Sequence, residues 1–303
     1  MSPIVSVLIP VYNMELYIEE AIKSVLGQSF TDYELILVDN NSSDKSLDII
    51  SKYEHYSNVK IIKNEQNVGM TKNWNTCLYH ATGKYIKFLN ADDIFERDLL
   101  KEFVTVMEND LKISLVTSYF KNFGNSDHHI TYAKVTGKQN GKEAIMNTIP
   151  SENWIGCPTQ VMFRRSDLYV GYFNISSAWW SDIDLWYRLL TIGDLYVVGK
   201  VLSQNRAHPN QVSNQFGNYK SLLSHYDLLR YLEQSDNFTF CNELLLSEIK
   251  KIKFIVFYES IMNIFKGNIK QGFYLLNKSD ISIFSFAFFR VPFFYFNKKK
   301  KYK

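Results

Sequence analysis

The sequence predicts an α/β fold: a mainly parallel sheet with helices on both faces, followed by a helical C-terminal region. Two observations carry this. From Ile4 to Val116, short runs rich in β-branched residues alternate with longer segments of helical period, and polar clusters follow three of the short runs. That alternation calls for right-handed crossovers and a sheet buried on both faces. With 303 residues, 46% hydrophobic and 21% charged, the chain can bury such a core, and this composition excludes a disordered or collagen-like protein.

Strands are expected at Val5 to Ile9, Glu34 to Val38, Val59 to Ile62, Tyr85 to Leu89 and Ile113 to Val116, all too short for helices. The first helix carries Ile18, Ile22 and Val25 on one face, with Glu15, Glu19 and Glu20 near its start and Gly27 at its end. The second opens at Ser42-Ser43-Asp44 and aligns Leu47, Ile50 and Tyr53. The third aligns Trp74, Cys77, Leu78 and Ala81 before Gly83, and the fourth aligns Leu99, Phe103 and Val106. Residues 117–160 break the rhythm with a polar stretch around His128 and His129, expected as a lid or loop. Regularity returns as a strand at Gln160 to Arg164, a helix from Asp182 to Thr191 closed by Gly193, and a strand from Leu195 to Val201. Helices over Tyr219 to Glu233 and Leu244 to Phe265 complete the pattern, with a boundary near residue 215.

Net charge is +3, but five lysines crowd into the last six residues, so the rest of the chain is slightly acidic. No nucleic-acid partner is expected of such a body. Cys77, Cys157 and Cys241 are odd in number and far apart, which reads as reduced core thiols. The N-terminus has no basic region and no cleavable apolar stretch, and the longest apolar run, Ile281 to Phe296, is interrupted by Arg290 and Pro292. A cytoplasmic chain without a transmembrane helix is therefore expected.

Ligands of an open α/β sheet bind at the C-terminal ends of its strands. Three such ends carry Pro10-Val11-Tyr12-Asn13, Asp39 to Asp44, and Asn90-Ala91-Asp92-Asp93. Any one alone would pass for an ordinary loop or helix cap; their convergence on one edge marks a site. No GxGxxG follows the first strand, and Gly137-Lys138-Gln139-Asn140-Gly141-Lys142 is one residue short of a P-loop and lacks its Ser or Thr. Acids alone would repel a nucleoside diphosphate. A hard divalent cation, Mn²⁺ or Mg²⁺, held by one or two carboxylates such as Asp92 and Asp93, resolves that repulsion.

These residues resemble the family 2 glycosyltransferases, which have the GT-A, Rossmann-like fold. The likeness runs through Ser6-Val-Leu-Ile-Pro-Val-Tyr-Asn13, Asn40-Asn-Ser-Ser-Asp44, Asn67-Val-Gly69, Gly83-Lys-Tyr-Ile86 and Asn90-Ala-Asp-Asp93. It continues through Phe163-Arg-Arg165, Ser181-Asp-Ile-Asp-Leu-Trp-Tyr-Arg188 and Arg206-Ala-His-Pro-Asn-Gln-Val-Ser213, about two thirds of the chain. The resemblance implies an inverting transfer from a nucleotide-sugar donor, a UDP-sugar, to a hydroxyl of a glycan or lipid-linked glycan acceptor in bacterial surface polysaccharide biosynthesis.

It also implies roles. Pro10, Tyr12 and Glu15 border the base and ribose, Asp39 accepts a hydrogen bond from the base, and Lys72 approaches the diphosphate where an arginine is common. Asn90, Ala91 and Asp92 match the DXD motif whose last Asp holds the metal, with His208 a weaker match for that role, and Asp93 lies near the donor sugar. Asp182 is the catalytic base; by its position alone a helix N-cap or first-turn acid would be favoured, and the whole motif series turns the reading to the base. Residues 1–215 then form the catalytic domain, with a nucleotide-binding half at 1–116 and an acceptor-side half at 117–215, and residues 216–303 form the helical extension. Asn90 for Asp, Ser181 for Glu and Lys72 for Arg are departures from the family pattern. The aromatic run and lysines of the tail suit peripheral contact with an anionic membrane at its inner face, or else helix packing with a solvated tail. A nucleotidyltransferase and a non-catalytic sugar-nucleotide binding module are the alternative readings.

Overall fold

The computed structural model describes residues 2–125, 130–131, 135–149, 153–176, 179–209, 211 and 218–278. The expectations for His128, His129, the aromatic run 281–296 and the lysines after it lie outside the described residues. Four βα units come first: β1 (Val5–Val11), α1 (Ile18–Leu26), β2 (Tyr33–Asp39), α2 (Ser46–Ser51), β3 (Val59–Lys63), α3 (Met70–His80), β4 (Tyr85–Phe88), the short β5 (Ile94–Phe95) and α4 (Leu99–Asn109). There follow β6 (Ile113–Gly124), β7 (Ile130–Thr131), β8 (Gly137–Gln139), α5 (Gly141–Thr148), β9 (Met162–Arg164), α6 (Ser181–Leu190) and β10 (Asp194–Ala207). Three helices close the described part of the chain: α7 (Asn218–Glu233), α8 (Asn242–Phe265) and α9 (Ile269–Lys278).

The strands form one sheet in the order β3-β2-β1-β4-β9-β6-β10-β5. β1 to β4 are parallel, and β9 enters antiparallel between β4 and β6. β6 therefore runs the same way as β4, and β10 is parallel to β6. Six long strands thus point their C-terminal ends to one edge, as the α/β reading requires. Val11 sits beside Asp39 and Asp39 beside Lys63, which lines up the loops after β1, β2 and β3.

Side-chain alternation divides the core into two layers. Val5, Val7, Ile9 and Val11 of β1 meet Ile18, Ile22 and Val25 of α1 and Leu99 and Phe103 of α4 on one face. Leu8, Ile36, Val38, Ile86 and Phe88 meet Trp74, Cys77 and Leu78 of α3 and Trp186 of α6 on the other. Leu229 and Leu232 of α7, Ile249 and Ile252 of α8 and Leu275 of α9 join that second layer. Several elements outrun their sequence signals. β6 and β10 continue as half-buried, polar ribbons to Gly124 and Ala207, because they pair with one another along their length. The irregular stretch 117–160 contains β8 and α5, and its P-loop-like segment is the entry to α5, where Asn140 Oδ1 caps Glu143 N at 3.2 Å.

Candidate active site

Asp39 ends β2 wholly buried. Its Oδ2 accepts the Ser42 backbone N–H at 3.1 Å, while its buried Oδ1 has no donor among the described residues. A buried carboxylate oxygen left unmet is costly, so it is suited to a donor brought by a ligand. The next residues are locked. Asn40 Oδ1 accepts Asn64 Nδ2 at 2.9 Å and Val68 N at 3.0 Å, and Asn40 Nδ2 donates to Asn67 Oδ1 at 2.9 Å. Asn64 Nδ2 also reaches Asn73 Oδ1 at 2.9 Å, and Asn73 donates to Val38 O at 3.2 Å. This asparagine network fixes the loop from residue 64 to Gly69 and the start of α3, where Lys72 projects exposed. The sequence reading missed it, since isolated asparagines near glycine look like ordinary turns.

The β1 end is knitted to the same loop. Asn13 and Asn41 are left-handed (φ 53° and 58°), and Asn13 N and Oδ1 bond Ser42 Oγ at 3.0 Å and Ser43 N at 2.8 Å. Glu15 N donates to Asp44 Oδ2 at 3.0 Å, and Glu15 Oε2 accepts Lys45 N at 2.9 Å. Pro10 is half-buried and Tyr12 exposed. Expected base-side residues thus share one rigid rim.

After β4, Ala91 and Asp93 turn inward. Asp93 Oδ2 accepts Thr159 Oγ1 at 2.6 Å and Asn90 Nδ2 at 3.2 Å, and its Oδ1 accepts Arg206 N at 3.0 Å. Burial, and then the Asp92 charge, raise the Asp93 pKa well above the ordinary carboxylate range. Asp92 is the more open member of the pair: its Oδ2 lies 3.0 Å from His208 Nε2. His208 leaves the end of β10, 4.6 Å from the Tyr17 ring, and Arg206 spans from Asp92 O (2.9 Å) to Glu20 while lying over Tyr17 and Phe123. The long pairing of β10 with β6 delivers both residues to Asp92.

A wall from Asn153 to Val161 joins this loop to α6. Buried Lys87 donates to Thr159 O and to Val161 O at 3.2 Å, and burial holds its pKa far below the usual lysine value. Gly156, at φ 111°, presents its carbonyl to Trp186 Nε1 at 3.1 Å. Cys157, expected as a core thiol, instead lies against Asn90 (3.6 Å) and Asn205 (3.8 Å). Its pKa is pushed up to about 12 by burial and then by the charge of Asp93.

Asp182 opens α6. Its Oδ1 accepts Ile183 N at 2.9 Å, and burial outweighs that bond, raising its pKa to about 6. Asp184, its rival two residues on, is wholly buried and paired with Arg188 at 2.9 Å. Arg188 also donates to Val170 O and Tyr172 O at 2.7 Å, anchoring α6. Burial raises the pKa of both acids; they differ in that Asp184 is held in an ion pair with Arg188, whereas the Asp182 carboxylate accepts the Ile183 backbone N–H.

Among the described residues no group of three or more His, Cys, Asp or Glu forms a ready metal cage. Asp92 with His208 still fits the common Mn²⁺ or Mg²⁺ pattern, in which one carboxylate suffices and phosphate oxygens and water complete the shell.

Sheet, edge and carboxylates together describe a nucleotide-sugar transferase fold. The profile of Glycosyl transferase family 2 matches residues 6–170, just over half the chain. The chain belongs to the family 2 glycosyltransferases. Among its relatives is TuaG of Bacillus subtilis, whose name provisionally assigns it to teichuronic acid biosynthesis as a glycosyltransferase. It is 31% identical over 70% of this chain and 82% of its own. The UDP-Glc:alpha-D-GlcNAc-diphosphoundecaprenol beta-1,3-glucosyltransferase WfgD of Escherichia coli is 27% identical over 75% of this chain and 85% of its own. The structure of S. aureus TarS 1-349 in complex with UDP-GlcNAc superposes with a TM-score of 0.67 at 22% identity, covering 82% of this chain and 71% of that one. In a longer TarS structure the match spans 42% of that chain. These likenesses bear out the GT-A fold expected from the motifs.

Proposed function

We propose that the protein is an inverting, metal-assisted hexosyltransferase that moves a sugar from a UDP-sugar to a hydroxyl of a lipid-linked or polysaccharide acceptor. The observation that carries this reading is the end of β4, where Asp92 Oδ2 lies 3.0 Å from His208 Nε2 at the same sheet edge as the unmet oxygen of Asp39, in a chain that matches the family over residues 6–170. In this reading, the unmet Asp39 oxygen accepts a base N–H, while Pro10, Tyr12 and Glu15 form the rim around base and ribose. Lys72 contributes a point charge towards the diphosphate, and Asp92 with His208 would hold the metal, which neutralises diphosphate charge when bound. Asn90 and Ala91 shape the same loop beside the donor, and Asp93 beneath the donor sugar fixes the loop from behind.

Asp182 takes the proton of the acceptor hydroxyl as that oxygen bonds the anomeric carbon. The bond from this carbon to the diphosphate oxygen breaks on the opposite face, so configuration inverts and the nucleoside diphosphate departs with the electron pair. Residues 1–215 are the catalytic part in this account and 216–303 the extension. No described helix is long and apolar enough to cross a membrane, and we place the chain peripherally at the inner membrane face, with the tail of aromatics and lysines on anionic lipid. TarS bound to UDP-GlcNAc and WfgD, named for UDP-Glc and a lipid-linked acceptor, support the donor and acceptor classes.

The test is a panel of nucleotide sugars with Mn²⁺, Mg²⁺ or EDTA, read by thermal shift and then by transfer. A UDP-sugar should stabilise the protein only with metal, by about 2.7 kcal/mol at 100 times its dissociation constant. Equal stabilisation in EDTA would remove the metal from the account, and binding without transfer to any acceptor would favour a non-catalytic binding module.

A further inference from the structure

The last two helices carry a surface the catalytic reading does not use. α9 lies close against α8: a Cβ on Gly272 would stand 2.8 Å from Ser260 O and 2.4 Å from Ile264 Cγ1, and Ser260 Oγ donates to Gly272 O at 2.5 Å. Leu275 and Leu276 are buried in the same contact. α9 therefore cannot roll to bury its other side. That side presents Ile269 (55% exposed), Phe273 (49%) and Tyr274 (49%), next to Phe265 (82%) at the end of α8. Ile269 and Phe273 stand one turn apart on one face.

Four large apolar side chains on one corner exceed the scattered exposure normal for a soluble surface. Lys266 and Lys270 are exposed at the same corner, and no acidic residue occurs from Ser260 to Lys278. Apolar anchors flanked by lysines match the boundary between acyl chains and anionic headgroups.

We infer that the α8–α9 corner is an insertion face for an anionic lipid bilayer, with Phe265, Ile269 and Phe273 entering the headgroup boundary and Lys266 and Lys270 meeting lipid phosphates. The choice of a membrane as partner rests on the peripheral association proposed above; the corner itself does not require the tail.

The experiment is co-sedimentation of the full chain with vesicles of phosphatidylglycerol and phosphatidylethanolamine, and with phosphatidylcholine as the neutral control. The wild type should bind the anionic vesicles, less so as salt rises. Phe265→Ser with Phe273→Ser should weaken binding roughly a hundredfold, about tenfold per ring, with thermal stability and nucleotide binding unchanged. Lys266→Gln with Lys270→Gln should weaken it roughly tenfold or more. If the wild type binds no vesicle, the membrane reading itself fails. If it binds and the phenylalanine pair makes no difference while Lys298→Gln with Lys299→Gln releases it, the tail alone is the anchor and this inference is overturned. A wild-type dimer that becomes monomeric in the phenylalanine variant would assign the face to a second copy, and would equally overturn it.

Discussion

Two pairs of acids, Asp92 with Asp93 after β4 and Asp182 with Asp184 at the start of α6, are built on different principles. In each pair one acid is bound up by its protein partners, and the proposed function gives the chemistry to the other. Asp93 is satisfied by neutral donors, Thr159, Asn90 and the Arg206 backbone, and stays reluctant to ionise beside Asp92. Asp184 is paired through one oxygen, Oδ2, with a cation, Arg188, within a buried ion pair. The first arrangement limits the charge on a loop where a metal would share Asp92. The second pins the helix that carries Asp182. Under the proposed function, adjacent acids of like appearance would divide into positioning and reacting groups by what each is hydrogen-bonded to.

That division can be broken experimentally. The largest expected effect is at Asp92: replacement by Ala should abolish transfer and the metal-dependent part of nucleotide binding, both measured with and without EDTA. Asp184→Ala should instead act on stability. It leaves the buried Arg188 charge without its carboxylate and should cost about 3 kcal/mol in urea unfolding. If Asp184→Ala left stability intact but stopped transfer, the assignment of the two acids on α6 would be reversed.

A smaller effect is expected in the asparagine network. Asn64→Ala removes donors to Asn40 and Asn73, and should cost about 1 kcal/mol per lost bond while weakening UDP binding severalfold by calorimetry. Smallest is a gain. Because the Asp182 pKa is raised on folding, the folded chain holds that proton more tightly than the unfolded one. Its contribution to stability therefore falls as pH rises from about 4 to about 6 and stays lower above. Asp182→Asn should melt a few degrees above the wild type at pH 8, on the order of 1 kcal/mol, and match it near pH 4.

The sequence made the nucleotide half legible because each of its signals is local. Ile18, Ile22 and Val25 mark a helix face whatever surrounds them, and three polar clusters after apolar runs mark one sheet edge. What stayed hidden depends on pairing between distant segments. The outer halves of β6 and β10 are polar and become strands only through each other, and α5 sits inside a stretch without strong period. Nothing local marks Lys87, yet it is buried against Phe95 and Phe103 and tied to carbonyls some 70 positions away. Cys157 reads as core, and only the fold brings it between Asn90 and Asn205. Which acid of each pair is occupied could not be read either, since Thr159 and Arg206 lie far along the chain from Asp93.

The most direct test of the account is the pH dependence of transfer by the wild type and by Asp182→Asn under saturating donor and metal. The wild-type rate should rise about tenfold per pH unit up to about 6 and then level, as expected for a carboxylate that must be ionised to accept a proton. Asp182→Asn should bind donor normally, run slower by roughly two to four orders of magnitude and lose that inflection. A variant that keeps both the rate and the inflection would place the base elsewhere and contradict the account.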